Sequence, residues 1–383
     1  MKKRALGRTG LMVSEIGLGC EHLQGMEADK INAILDAAID SGINILDVFM
    51  SEPKVRTDIG NALKGRREKV FIQGHIGACW HNGQYERSRE RAACVAAFDD
   101  LLKRLQTDYI DLGMFHFVDT QSDLENLYKG GSLELAQELK ASGKVRFIGA
   151  SSHDPIAARK LVEDGVVDLL LFSINPAYDV LPPDTLIDDL FVPDTYLSQE
   201  RFTVTPERAE LYALCEAKGV GITVMKTLAA GSLLKAETSP FGVGMTTAQC
   251  IHSALTRPAV ASVMIGCRSP EEVAAAVAYE DTPEKDRDYA AALLNVPKFS
   301  MRGKCMYCNH CLPCPKHIDV AQVNKYLDLA ELADAVPDTV RAHYDALNAH
   351  GGDCVACRSC EKNCPFGVEI VQRMGRAKAL FGK

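Results

Sequence analysis

Tyr109–Met114 (YIDLGM), Leu133–Ala141 (LELAQELKA) and Val145–Gly149 (VRFIG) decide the fold. An apolar run too uniform to have a solvent face is followed by a helix-period segment and then by a second such run. That order predicts two parallel strands buried on both faces, with a helix crossing between them. Six further runs extend the pattern in both directions: Val13–Leu18, Ile43–Val48, Val70–Ile72, Val167–Phe172, Gly221–Met225 and Val260–Ile265. Helical patterns lie between them at Asp29–Asp40, Arg87–Leu105, Pro155–Glu163, Pro206–Ala217 and Pro270–Ala278. Eight units of this kind, with no Gly-x-Gly-x-x-Gly after the first strand, predict an α/β fold, a closed (β/α)8 TIM barrel, over residues 1–281. The long connection from Leu181 to Thr205, rich in proline and aspartate, reads as a lid or binding loop.

The end of the chain has a different chemistry. Eight of the 14 cysteines fall in two runs, Cys305, Cys308, Cys311 and Cys314, then Cys354, Cys357, Cys360 and Cys364, with a proline after each last member. Three thiolates two residues apart can face one four-iron cube, while the cysteine before the proline turns to the other cube. Cys305, Cys308, Cys311 and Cys364 are therefore expected to hold one [4Fe–4S] cluster. Cys354, Cys357, Cys360 and Cys314 are expected to hold the second. The first run departs from the commoner spacing by one residue before its Cys-Pro. Structural zinc more often uses two separated Cys pairs, and a disulfide framework suits a secreted chain. The opening MKKRALGRTG has no apolar run behind it, so no secretory signal is expected and a cytoplasmic location is. Residues 282–300 read as a linker, and 301–383 as a small, mostly α-helical ferredoxin-like two-cluster domain.

Composition narrows the partners. A net charge of −8 and a pI near 5.7 disfavour nucleic acid, whose phosphates need a basic surface. No apolar stretch is long enough to span a membrane. A small-molecule substrate and an external electron donor or acceptor such as ferredoxin or flavodoxin are expected, and assembly into a homo-oligomer is left open.

Reactive groups of such a barrel sit where strands end, which singles out Cys20, His22, Asp47, His75, His116, Ser151, Ser152, His153, Asn175, Lys226 and Arg268. His22, His75, His116 and His153, with Asp47 or Cys20, offer ligands for a mononuclear metal at the rim. Gly266-Cys267-Arg268-Ser269-Pro270 combines an N-cap serine, a proline at the first helical position and a cation. It suits either a phosphate or nothing more than a well-capped helix.

GRTGLMVSEIGLGC (7–20), GINILDV (42–48), DDLLKRLQTDYIDLGMFH (99–116), GKVRFIGASSH (143–153), VGITVMKTLAAG (220–231), SVMIGCRSPEEV (262–273) and both cysteine runs resemble the aldo/keto reductases. The resemblance is to the bacterial members with a C-terminal four-iron dicluster domain. It implies carbonyl reduction with NADP(H) by an aspartate, a tyrosine, a lysine and a histidine. Asp47 and His116 fall on the aspartate and histidine positions, Glu52 on the tyrosine and His75 on the lysine. Ser151, Ser152 and Asn175 fall on nicotinamide contacts, and Lys226, Gly266, Arg268 and Ser269 on the phosphate side. With half of the tetrad replaced, the expected function is an iron–sulfur oxidoreductase passing electrons between its clusters and a substrate in the barrel. The alternatives are an NADP(H)-dependent carbonyl reductase with an electron-transfer domain, a barrel with a rim metal, and a non-catalytic electron-transfer subunit.

Overall fold

Strands buried on both faces must pair side by side beneath a layer of helices, and this chain does so eight times. The computed structural model describes residues 1–181, 183, 185, 204–289, 305, 307, 309–331, 335–364 and 366–383. The chain divides into two compact units, Met1–Leu294 and Asn295–Lys383.

In the first unit the strands in chain order are β1 (Lys3–Ala5), β2 (Met12–Ser14), β3 (Ile16–Gly19), β4 (Ile45–Val48), β5 (Phe71–Ile76) and β6 (Ala78–His81). They continue with β7 (Gln84–Arg87), β8 (Ile110–Phe115), β9 (Val145–Ser152), β10 (Leu169–Ser173), β11 (Gly221–Met225) and β12 (Val260–Gly266). Eight of them close a parallel barrel in the order β3-β4-β5-β8-β9-β10-β11-β12. The bore is filled by Ile45, Leu112, Met114, Leu169, Leu171, Ala261 and Met264, which pack on Leu6, Leu11 and Val13 from the β1–β2 hairpin at the bottom. A larger apolar layer fills the space between strands and helices. The helices approach closely in places. A Cβ on Gly60 would stand 2.1 Å from the Arg104 carbonyl oxygen, so the helices Pro53–Ala62 and Arg91–Leu105 meet where only hydrogen fits.

Three sequence expectations change. The first apolar run is two strands: Met12–Ser14 turns back on β1, while Ile16–Gly19 enters the barrel. The break falls at Glu15, whose carboxylate takes the Arg4 Nε–H at 2.7 Å. The third run continues through Gly74 to Ile76, so His75 lies inside β5 and not after it. Arg87 does not begin a helix. It ends an antiparallel hairpin, β6–β7, and the helix starts at Arg91 behind a Glu90 cap. Most of the presumed lid, and residues 290–300 of the presumed linker, lie outside the described residues.

The second unit carries described helices at Val320–Glu331, Asp338–Asp345, Ser359–Asn363 and Ile370–Phe381. They gather around Ile318, Val323, Leu327, Tyr344, Met374 and Phe381. Among the described residues no helix is long and apolar enough to cross a membrane.

Candidate active site and thiol clusters

The site begins with the two-residue period of β5. Gln73 and His75 share the face turned into the barrel, while Gly74 between them faces the Leu101 side chain outside. Register sets Asp47 of β4 beside Gln73. Gln73 donates its amide N–H to Asp47 Oδ1 at 3.0 Å and accepts the Thr223 hydroxyl at 2.7 Å. A polar layer thus spans the bore from β4 to β11, just above the apolar filling.

From that layer a chain of hydrogen bonds runs outward. Asp47 Oδ1 lies 2.9 Å from His75 Nε2, and His75 Nδ1 lies 2.8 Å from His116 Nδ1. His116 Nε2 lies 2.5 Å from the Tyr85 hydroxyl. Burial, and then the neighbouring His75, Arg89, Arg87 and His153, hold His116 well below the usual histidine range, so its ring is neutral. One direction of donation satisfies every atom. Tyr85 O–H donates to His116 Nε2, His116 Nδ1–H to His75 Nδ1, and His75 Nε2–H to the Asp47 carboxylate, which also accepts from Gln73. A neutral chain so polarised can take up one proton at its phenol end and carry it towards the carboxylate.

Tyr85 was invisible to the sequence reading, although a signal existed. Asn82-Gly83 is a strong short-range hairpin turn, and both residues adopt the positive φ, 50° and 78°, that such a turn requires. On β7 the two-residue period puts Tyr85 and Arg87 on one face. Tyr85 meets His116, and the Arg87 guanidinium lies 4.1 Å from the centre of the Phe117 ring. Arg89 donates to the carbonyls of His116 and Phe117 at 2.7 and 2.8 Å, and Phe49 stacks on His116.

Arg56, 1% exposed, ties these parts together. It donates to the carbonyls of Met50, Ala97 and Ala78 and pairs with Asp100, linking the exit of β4, the root of the hairpin and the following helix. Arg56→Met is expected to cost about 3–5 kcal/mol, because two buried carbonyls and one half-buried one lose this donor, and Asp100 keeps only Arg104 as its partner among the described residues. Chemical denaturation measures this, and a loss under about 1 kcal/mol would refute the tie.

Other expected site residues serve local structure. Glu52, on the tyrosine position, caps the Pro53–Ala62 helix by accepting from Val55 N at 2.7 Å. Ser151 accepts from Phe117 N, and Ser152 bonds both backbone groups of Asp154. Asn175 donates to the Lys226 carbonyl after β11 and accepts from the amides of Ala177 and Tyr178 in its own loop. Ser269 does cap its helix, and the Glu272 carboxylate accepts from Arg268 N. His22 lies against Gly266, at the junction of β12 with that loop. Lys226 stands 3.9 Å from Glu21, and Arg268 is exposed.

The rim histidines do not converge on a metal. Both ring nitrogens of His75 and of His116 are engaged in the chain, His153 Nδ1 pairs with Asp119 at 2.9 Å, and His22 lies by Gly266. Among the described residues, no group of three or more His, Cys, Asp or Glu could hold a metal ion.

In the second unit Cys314, Cys354, Cys357 and Cys360 line one pocket with Ile318, Val320, Val355, Ile370 and Met374. Cys305 lies within electrostatic reach of Cys364, and Cys311 within reach of Cys305, Cys360 and Cys364. These proximities do not separate the two sets expected from the sequence, since Cys311 of one reaches Cys360 of the other, and Cys308 lies outside the described residues. All described cysteines are free thiols. A four-iron cube is wider than one ion, so thiolates that surround it stand too far apart to close on a single metal. The donor set, sulfur on an apolar wall, suits such a cube.

The profile described as the Aldo/keto reductase family matches residues 15–252. The chain is 33% identical over 180 residues to the uncharacterized oxidoreductase YqkF of Bacillus subtilis, a match covering 45% of this chain and 57% of that protein. It thus spans little more than half the length of that relative. It is 26% identical over 326 residues to pyridoxal 4-dehydrogenase of Microbacterium luteolum, covering 71% of this chain and 91% of that one. Among solved structures, the aldo-keto reductase AKR11C1 from Bacillus halodurans in its holo form aligns with a TM-score of 0.60 and 25% identity, covering 76% of this chain and 96% of its own.

Proposed function

The chain belongs to the aldo/keto reductase family, and we propose that it is an iron–sulfur oxidoreductase acting on a carbonyl or hydroxyl carbon of a small molecule at the barrel mouth. The observation that carries this reading is the unbroken hydrogen-bonded chain from Asp47 through His75 and His116 to a phenol, at the end of the barrel where the strands finish. Redox at a carbon–oxygen bond must move a proton on or off oxygen, and this chain is built to do that.

The eight cysteines of residues 301–383 would hold two [4Fe–4S] clusters, Cys305, Cys308, Cys311 and Cys364 around one and Cys314, Cys354, Cys357 and Cys360 around the other. Bound there, the clusters supply one-electron exchange with an external carrier of the ferredoxin or flavodoxin type. The chain's own residues do the rest. Asp47 fixes the His75 tautomer and stabilises a proton that arrives there, and Gln73 fixes the Asp47 carboxylate. His75 and His116 pass the proton, and Phe49 and Phe117 wall the rings from water.

Direct use of NADP(H) is the second reading, favoured by the exposed Arg268 and by Lys226 at the ends of β12 and β11. Against it, Ser151, Ser152 and Asn175 already serve the backbone, and the Glu272 carboxylate occupies the Arg268 amide. A single anaerobic experiment separates the two. Dithionite-reduced protein is mixed with pyridoxal and a panel of small aldehydes and ketones. Recovery of the cluster absorbance with one alcohol formed per two electrons is expected. Turnover only with NADPH, the reduced clusters staying bleached, selects the second reading. Protein purified anaerobically without iron or labile sulfide ends the first.

A further inference from the structure

We infer that Tyr85, delivered by the β6–β7 hairpin, is the group that exchanges a proton directly with the substrate oxygen. The inference rests on the reaction class proposed above and names its acid–base residue. Three placements carry it.

The position five residues after Asp47 holds Glu52, which is spent on capping a helix. No phenol therefore comes from that loop. The hairpin brings one from the opposite direction, and its hydroxyl ends 2.5 Å from His116 Nε2. His116 is 5% exposed, whereas Tyr85 is 44% exposed. A molecule entering from solvent therefore meets the phenol first, and the imidazole only through it. Finally, burial holds the Tyr85 hydroxyl above the usual tyrosine range and so protonated at rest, while Arg87 on the same face of the strand and Arg89 just beyond it place two cations beside the phenol that act against this burial. Tyrosine, histidine and cation are thus assembled from an element that the strand-end count had passed over.

In alcohol oxidation the substrate O–H bond breaks and its proton bonds to the Tyr85 oxygen. The Tyr85 proton moves to His116 Nε2, the His116 Nδ1 proton to His75 Nδ1, and the His75 Nε2 proton to Asp47. The carbinol C–H bond breaks as the C=O π bond forms. Its two electrons leave with the hydrogen as hydride to an oxidised nicotinamide, or singly to two oxidised iron–sulfur carriers with the proton going to solvent. Carbonyl reduction reverses each transfer, beginning with the chain one proton richer.

The test compares full-length holoprotein with Tyr85→Phe and with Trp80→Phe, the residue paired with Tyr85 across the hairpin. On the aldehyde and ketone panel, Tyr85→Phe is expected to lower kcat about 10²- to 10⁴-fold with KM changed less than about threefold. Trp80→Phe keeps kcat, which separates loss of the hydroxyl from damage to the hairpin. Tyr85→Phe with unchanged kcat overturns the inference. So does a rise in kcat, which would make the hairpin a plug. If the wild type turns over no member of the panel, the reaction class falls and a second readout decides Tyr85. The wild-type-minus-Tyr85→Phe difference in tyrosinate absorbance follows this phenol alone, among His116, Arg87, Arg89 and Cys79. Its midpoint should rise in Arg87→Gln and shift in His116→Gln. A midpoint indifferent to both overturns the assignment.

Discussion

Asp47→Asn is expected to lower kcat roughly 10³- to 10⁴-fold while leaving the barrel folded. The carboxylate sits at the blind end of the proton chain, 7% exposed, and accepts from both His75 Nε2 and Gln73 Nε2. An asparagine oxygen turned to these two donors keeps the His75 tautomer but removes the negative charge that would stabilise an imidazolium. An amide turned the other way presents N–H to a ring nitrogen that is itself an N–H, which forces the His75 tautomer to reverse. His75 Nδ1 would then carry the hydrogen and the chain must reverse throughout, His75 Nδ1–H donating to His116 Nδ1 and His116 Nε2–H to the Tyr85 oxygen, so that the phenol faces an N–H that cannot take its proton. Either way the transfer fails at its first or last step, as it does when the aspartate of a Ser-His-Asp triad is replaced. Steady-state kinetics on any substrate of the wild type measures this, with a circular dichroism spectrum as the check on folding. A loss smaller than tenfold would mean that the proton reaches oxygen by a route that does not include Asp47.

This chain was only half legible in the sequence. Barrel strands announce themselves because burial on both faces leaves runs such as Val260–Ile265 without a polar member other than Ser262, and Asp47 and His116 fall at their ends. Side-chain direction is another matter. That His75 and Gln73 both point inward depends on β5 continuing past Gly74, and the sequence reading stopped that strand at Ile72. The partnership of His75 with His116 depends on register between β5 and β8, where His75 pairs with Met114. Cross-strand register is a tertiary fact. Tyr85 was missed for a local reason: the helical composition read from Arg87 onward took in the end of the hairpin's second strand, and the Asn82-Gly83 turn before it was not read. The rim histidines show the opposite error. Counting residues at strand ends offered a rim metal as one alternative, whereas His75 and His116 bond each other and His153 bonds Asp119.

On the two-cluster assignment proposed above, removing the iron is expected to unfold the described helices of the second unit and to leave the barrel's own unfolding transition in place. The apolar core of that unit is small, and Cys305, Cys314, Cys354, Cys360 and Cys364 pack against it as part of its wall. Without a cluster, Ile318, Val320, Ile370 and Met374 would line a void instead of a filled pocket. At about 24 cal/mol per Å³, a void of even ~100 Å³ costs about 2 kcal/mol. The iron–thiolate bonds are the larger loss, since in small metal domains ligation supplies on the order of 10 kcal/mol of folding free energy. A domain of this size has a net stability of only about 5–10 kcal/mol, so the deficit exceeds what the helices can supply. The core pairing of Tyr344 with Phe381, rings stacked at 3.9 Å, and the bonds from Arg373 to Asn324 and Asp328 are too few to compensate. Chelation under reducing conditions should therefore abolish protease resistance in residues 295–383 and remove their share of the helical circular dichroism. The parallel barrel, whose core contains none of the seven described cysteines of these two runs, should melt at an unchanged temperature. An iron-free protein that keeps the full helical signal and resists proteolysis throughout would show that these thiols pack as an ordinary core, and the two-cluster assignment would fall with that result.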